Sequence, residues 1–242
     1  MVMIKIPSKL VMIKIQRIIM KPFILVNFKT YKEGTGKKAE DLAKLIHRIS
    51  EESNADMFSV VQIADVHRIA SLGIPVFCQH VDCCDFGSET GHVLPECIKD
   101  NGAIGTLINH SERRIDMKTI PITIERCRNT GLKTIVCVQS IAEAKEIIKH
   151  EPDYLSLEDK DLIGSGISIT EIMPDVIKKF SELFKNSKTV PLCGAGVSNG
   201  KDVKTALQLG MHGVLLASAV LKAKDQEAVI RGIADSFQNQ PK

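Results

Sequence analysis

From residue 22 onward the chain alternates short apolar runs with longer amphipathic stretches, and this alternation constrains its fold more than any other feature. The runs are Phe23–Asn27, Met57–Val61, Pro75–Gln79, Gly105–Ile108, Lys133–Val138, Tyr154–Leu157, Val190–Cys193 and Gly213–Leu216. They are brief, rich in Val, Ile and Leu, and mostly continuous, as expected of strands buried on both faces of a parallel sheet. Between them, helices are predicted over Lys37–Glu52, Ile120–Thr130, Ile141–His150, Ser168–Lys185 and Asp202–Leu209. Asn199-Gly200-Lys201-Asp202 supplies a helix start, and Gly73, Gly131 and Gly210 stand just past three helix ends, where a left-handed residue is needed. Eight strand–helix units without a glycine-rich dinucleotide fingerprint point to an α/β fold, a single (β/α)8 TIM barrel. A doubly wound open sheet is the alternative. The chain's 242 residues suit one such barrel, and no linker-like stretch divides it.

Residues 1–20 stand apart. Val2-Met3-Ile4-Lys5-Ile6 recurs as Val11-Met12-Ile13-Lys14-Ile15, too interrupted by lysine for a signal-peptide core. The segment reads as a dispensable extension ahead of a barrel domain at 21–242, with a basic membrane-touching segment as the alternative. Lys5, Lys9, Lys14 and Arg17 lie here without an acid. The rest of the chain therefore carries −1, against +3 for the whole. No basic stripe remains for nucleic acid, and two Tyr without Trp offer few platforms for stacking bases. The longest apolar run, Val214 to Leu221, is far short of the ~20 residues that span a membrane. Seven cysteines, an odd number with no C-x-x-C pair, indicate reduced thiols and a cytoplasmic protein. Cys78, Cys137 and Cys193 lie in apolar runs and read as core residues. His80, Asp82, Cys83, Cys84 and His92 could be taken as metal ligands, but adjacent cysteines suit a tetrahedral site poorly, so no metal is expected.

In a parallel barrel the chemistry gathers on the loops at the carboxyl ends of the strands. There the first strand is followed by Asn27-Phe28-Lys29-Thr30 and the fourth by Asn109-His110-Ser111-Glu112. The sixth is followed by Glu158 and Leu162-Ile163-Gly164-Ser165-Gly166. The seventh leads into Gly194-Ala195-Gly196 and the eighth into Ala217-Ser218. Singly, each has an ordinary reading: a solvated lysine, a loop histidine, a surface carboxylate, turns built for backbone geometry. Together on one rim they suit proton abstraction beside a carbonyl in a small phosphate ester. A carboxylate takes the proton, a cation and a donor steady the enediolate oxygens, and small-residue turns surround the phosphate with backbone N–H groups.

These motifs resemble the triosephosphate isomerase family in its short archaeal form. The likeness rests on Asn27-Phe28-Lys29, Gln79-His80-Val81-Asp82, Gly91-His92-Val93-Leu94-Pro95-Glu96, His110-Ser111-Glu112-Arg113-Arg114, Glu158 with Ile163-Gly164-Ser165-Gly166, Gly194-Ala195-Gly196, and Ala217-Ser218. It runs from about Phe23 to the C-terminal helix. The resemblance implies that Glu158 is the general base, His110 a neutral electrophile and Lys29 the balancing cation. Asn27 would hold substrate and Glu112 would support Lys29. Backbone around Ile163, Gly164, Gly196, Ala217 and Ser218 would hold the phosphate. It further implies interconversion of dihydroxyacetone phosphate and D-glyceraldehyde 3-phosphate without cofactor, and a homo-oligomer, a tetramer in preference to a dimer, joined through residues 82–95. One departure stands out. Family members carry proline directly after the base, where this chain has Asp159-Lys160. The competing readings are another phosphate-binding barrel, such as an aldolase or an indole- or prenyl-phosphate synthase, and a non-catalytic binder that keeps the sugar-phosphate cradle.

Overall fold

The computed structural model describes residues 21, 23–53, 55–159 and 169–237. Eight parallel strands, β1 (Phe23–Asn27), β2 (Asp56–Val61), β3 (Val76–Cys78), β4 (Gly105–Ile108), β5 (Lys133–Val138), β6 (Tyr154–Leu157), β7 (Val190–Cys193) and β8 (Gly213–Leu216), pair in sequence order. The ring closes as β1 pairs with β8. The open-sheet alternative is thereby excluded.

Strand geometry explains why the runs are continuously apolar. Successive side chains point to opposite faces, so in β1 Phe23 and Leu25 fill the barrel while Ile24 and Val26 face the helices. The same parity places Phe77, Leu107, Ile135, Tyr154, Leu192 and Leu215 in the interior. At the amino-terminal mouth Phe23 stacks on Tyr154 with centroids 4.5 Å apart, from strands that are not neighbours in the ring, and Phe58 and Phe77 pack edge-on beside them. That end is plugged by aromatic side chains. Further along the same inward parity, Asn27 ends β1, and Gln79, Asn109, Glu158, Gly194 and Ala217 stand just past the carboxyl ends of β3, β4, β6, β7 and β8. This polar rim is thus a continuation of the core's own periodicity.

The outer layer consists of α1 (Lys37–Glu52), α2 (Ile63–Ala70), α3 (Pro95–Asp100), α4 (Thr119–Asn129), α5 (Ile141–Ile147), α6 (Ile169–Ile172), α7 (Pro174–Glu182), α8 (Gly200–Gln208), α9 (Ser218–Leu221) and α10 (Gln226–Asp235). In α1 the buried set Leu42, Ala43, Ile46 and Ile49 recurs at helical spacing and covers the strands. Full burial of Ile46 alone is worth about 1.5–3 kcal/mol. The predicted helix over Ser168–Lys185 is in fact two, broken at Met173 because Pro174 has no N–H to continue the ladder and instead opens α7. The one predicted over Ile141–His150 tightens into a 3-10 turn at Ile148–His150 and ends on left-handed Glu151. Arg128 donates to the carbonyls of His150 and Glu151 there. Helix α8 is capped as expected: the Asn199 side chain accepts from the backbone of Lys201 and Asp202. Among the described residues no helix is long and apolar enough to cross a membrane. The 1–20 segment, Lys160, Ile163 and Gly164 lie outside the described residues.

Candidate functional site

Segments at the carboxyl ends of β1, β4, β6, β7 and β8 bring predicted residues together at the carboxyl-terminal mouth. After β1 the backbone turns sharply: Lys29 adopts φ 48°, a conformation uncommon for a residue bearing a Cβ. The turn is held by Asn27, 3% exposed, whose Oδ1 accepts from the Lys29 N–H at 3.0 Å. The lysine side chain, 11% exposed, then reaches across the mouth, and its ammonium donates to Glu112 Oε1 at 2.7 Å.

After β4 a second non-glycine residue, Asn109, has positive φ (63°). Its side chain donates to the Cys137 carbonyl at 2.9 Å and accepts from the Ile115 N–H at 3.0 Å, which pins the loop that carries His110. After His110 the chain makes a single hydrogen-bonded turn, closed by the Arg113 N–H on the His110 carbonyl. Within it the Glu112 N–H donates to His110 Nδ1 at 3.2 Å. A ring nitrogen that accepts carries no proton, so in the neutral imidazole the proton is on Nε2.

Nε2 faces Glu158 Oε1 at 3.4 Å. Glu158, 1% exposed, follows β6 and accepts from the Ser111 N–H at 3.2 Å through Oε2. Among the described residues Oε1 accepts no hydrogen bond. A buried oxygen without a donor is available as a base. Gly194, after β7, makes room for it: a Cβ there would lie 2.4 Å from Ser156 Oγ and 2.9 Å from Glu158 Cγ. Beneath them Cys137 is wholly enclosed. Burial, and after it the charge of Glu158, push its thiol far above the usual range, so it stays neutral.

Beside these groups a cleft of about 210 Å3 is lined by Asn27, Lys29, His110, Gly194, Gly196 and Ala217–Ala219, among others. It is smaller than the ~300–1,000 Å3 of drug-sized sites, and so suited to a small ligand. Its far end is built of small residues. Gly196 has φ 68°, and Ser198, through N–H and Oγ, is tied to Asp202 Oδ2 at 2.9 and 3.0 Å. In α9 the Val220 and Leu221 N–H groups both bond the Ala217 carbonyl, so those of Ser218 and Ala219 precede the intrahelical ladder.

The structure therefore brings Asn27, Lys29, His110, Glu112, Glu158, Gly196, Ala217 and Ser218 to one mouth. Sequence reasoning missed Ser111, whose contribution is its backbone N–H, and Gln79, which the inward parity from Phe77 could have found. Among the described residues no group of three or more His, Cys, Asp or Glu is placed to hold a metal ion, and His80 Nε2 is instead 2.9 Å from Asp82 Oδ1.

The family model described as triosephosphate isomerase matches residues 22–233. The triosephosphate isomerase of Methanosarcina acetivorans is 42% identical over 215 residues, covering 88% of this chain and 97% of that protein. The triosephosphate isomerase of Methanocaldococcus jannaschii is 44% identical over 211 residues, covering 86% and 96%. The crystal structure of the Bartonella henselae triosephosphate isomerase superposes with a TM-score of 0.70 at 20% identity, covering 91% of this chain and all of that one, a likeness of fold.

Proposed function

The chain belongs to the triosephosphate isomerase family and is an intramolecular aldose–ketose isomerase, interconverting dihydroxyacetone phosphate and D-glyceraldehyde 3-phosphate; on that premise we propose that Glu158, His110 and Lys29 carry the reaction. Glu158 removes a proton from the carbon next to the carbonyl. The electron pair moves to the carbonyl oxygen, which His110 steadies by donating from Nε2–H. The hydroxyl proton of the first carbon passes by way of His110 to the former carbonyl oxygen, the electron pair left behind forms the new carbonyl, and Glu158 returns its proton to the neighbouring carbon. The Lys29 ammonium balances the anion, held by Glu112, while Asn27 fixes the turn that presents it. Backbone N–H groups at Gly196, Ala217 and Ser218, with those of Ile163 and Gly164, receive the phosphate.

One observation carries this reading: a buried carboxylate oxygen that accepts no hydrogen bond among the described residues lies 3.4 Å from the ring nitrogen that must bear the imidazole proton. A coupled assay of glyceraldehyde 3-phosphate isomerisation tests it, with turnover expected. Tight binding of a phosphate-bearing transition-state analogue without turnover would leave only a binding protein.

We further infer a homo-oligomer, a tetramer in preference to a dimer, in the cytoplasm. Phe86, at the tip of the loop between β3 and α3, is 75% exposed, a large apolar surface for a monomer to leave in water. The loop is nevertheless organised: Asp82 bonds Val93 through both backbone and carboxylate, and Arg126 grips Asp85 and Glu96. Seven thiols without a disulfide support a reducing compartment. Light scattering should give an oligomer that a bulky reagent on Cys83 or Cys84 weakens; a fully active monomer at micromolar concentration would overturn the assembly. The 1–20 segment is proposed to be dispensable, which the family match beginning at residue 22 supports. A chain begun at Met20 should keep its fold and activity.

A further inference from the structure

We propose that Gln79 is a positioning residue that sets the direction of Lys29, an inference that rests on the role given to Lys29 above. The lysine reaches the cleft only because its backbone leaves β1 in a left-handed turn, a conformation that L side chains resist. Such a turn persists where surrounding groups hold it. Asn27 holds the amide side, and Gln79 holds the carbonyl side. The Gln79 Nε2 donates to the Lys29 carbonyl at 3.0 Å and to Asn27 Oδ1 at 3.2 Å, with the Val60 carbonyl at 3.4 Å. One amide group therefore ties together both ends of the turn and the strand beside it.

Gln79 meets Lys29 at the backbone carbonyl, not at the ammonium. It is half-buried just past β3; the cleft beside Gly194, Gly196 and Ser218 does not include it, while an adjoining cavity is lined by Gln79 together with Asn27, Lys29 and His110. Its own backbone is fixed independently, since its N–H donates to the Val61 carbonyl. The chemistry of the position is specific as well. All three partners of the side chain are acceptors, so the site requires a donor. An amide supplies that donor at every pH, whereas a carboxyl group supplies it only when protonated.

The test uses the full chain and four variants: Gln79→Met, Gln79→Glu, Lys29→Met and Lys29→Met combined with Gln79→Met. Gln79→Met removes the donor at similar volume, and kcat/KM should fall about tenfold, the scale of one or two neutral hydrogen bonds. Gln79→Glu should fall at least as far near pH 8, where an ionised carboxylate would face three acceptors. Measured as a ratio to the unmodified enzyme at each pH, it should recover toward pH 5 as the introduced carboxyl gains a proton and can donate. A residue that served only the fold would show no such recovery. In the Lys29→Met background, Gln79→Met should change kcat/KM less than about twofold, because the group it directs is gone. Full turnover in Lys29→Met would break the parent reading of Lys29. Collapse in Lys29→Met, with unchanged kcat/KM in both single Gln79 variants, would overturn the proposal for Gln79 alone. A Gln79→Met loss that persists undiminished without Lys29, or a Gln79→Glu ratio that stays flat with pH, would overturn it too.

Discussion

The two ends of the cleft are built on different principles. At the proposed acid–base end, each group is a long side chain held by others: Lys29 by Glu112, His110 by the Glu112 N–H, Glu158 by the Ser111 N–H. Two non-glycine residues there occupy left-handed conformations that their hydrogen bonds maintain. At the other end, Gly196, Ala217 and Ser218 offer little side chain, and the use proposed for them lies in backbone shape. The contrast follows from the tasks. Moving a proton needs groups of defined basicity within hydrogen-bond reach, which only side chains supply. Holding an unchanging phosphate needs directed N–H groups and an absence of bulk. Substitutions at the first end should therefore be read in turnover, and those at the second in affinity.

The largest effect is expected at the base. Glu158→Gln keeps the shape and removes the acceptor of the carbon-bound proton, so kcat should fall ~10²–10⁴-fold while binding of a phosphate-bearing analogue survives. A loss under about tenfold in steady-state kinetics would place the base elsewhere. Next comes Gly194→Ala, which drives a methyl group into Ser156 Oγ and the Glu158 side chain. Overpacking of this kind costs about 1–3 kcal/mol. Calorimetry should show a Tm lowered by roughly 2–4 °C for each kcal/mol, and kcat should drop as the carboxylate is displaced. Adding Ser156→Ala should restore part of both.

At the phosphate end, Gly196→Ala places a Cβ on a residue with φ 68°, a strain of about 1–2 kcal/mol. That strain should emerge as a raised KM with kcat nearly kept. A fall in kcat with KM unchanged would erase the distinction between the two ends. The smallest effect is expected at the junction between them, where Asp159 takes the place that proline fills in the family. Asp159→Pro narrows the loop's unbound conformations, which is worth about 0.4–1 kcal/mol, so kcat/KM should rise roughly two- to fivefold. No change, or a loss, would mean that the present contacts of Asp159 matter more than hinge stiffness.

The barrel was legible in the sequence because strands buried on both faces leave continuous apolar runs, and the bounds of β1, β4 and β6 emerge as read. Lys29, His110 and Glu158 were legible for a related reason, as chemically pointed residues directly after those runs. What escaped did so for physical causes. Helix α3 buries chiefly Pro95 and Ile98, too few residues to show a period. The break before Pro174 falls inside one amphipathic stretch, where apolar spacing conceals a missing donor. Ser111 acts through its backbone, which every residue possesses, so its identity carried no signal. Gln79 was quoted within a motif, but its task depends on the left-handed turn of Lys29, and dihedral angles are not written in residue types.

The aromatic plug at the amino-terminal mouth has a consequence for how such a protein can change. Phe23, Phe58, Phe77 and Tyr154 close the vessel at one end, and Lys29, His110 and Glu158, the proposed reacting groups, stand at the other. Substitutions that far apart, with no shared partner, add nearly independently. The base of the barrel is free to drift with temperature and environment, repacking one ring against another, while the rim keeps its chemistry. Heat tolerance and turnover become separately heritable traits of one chain.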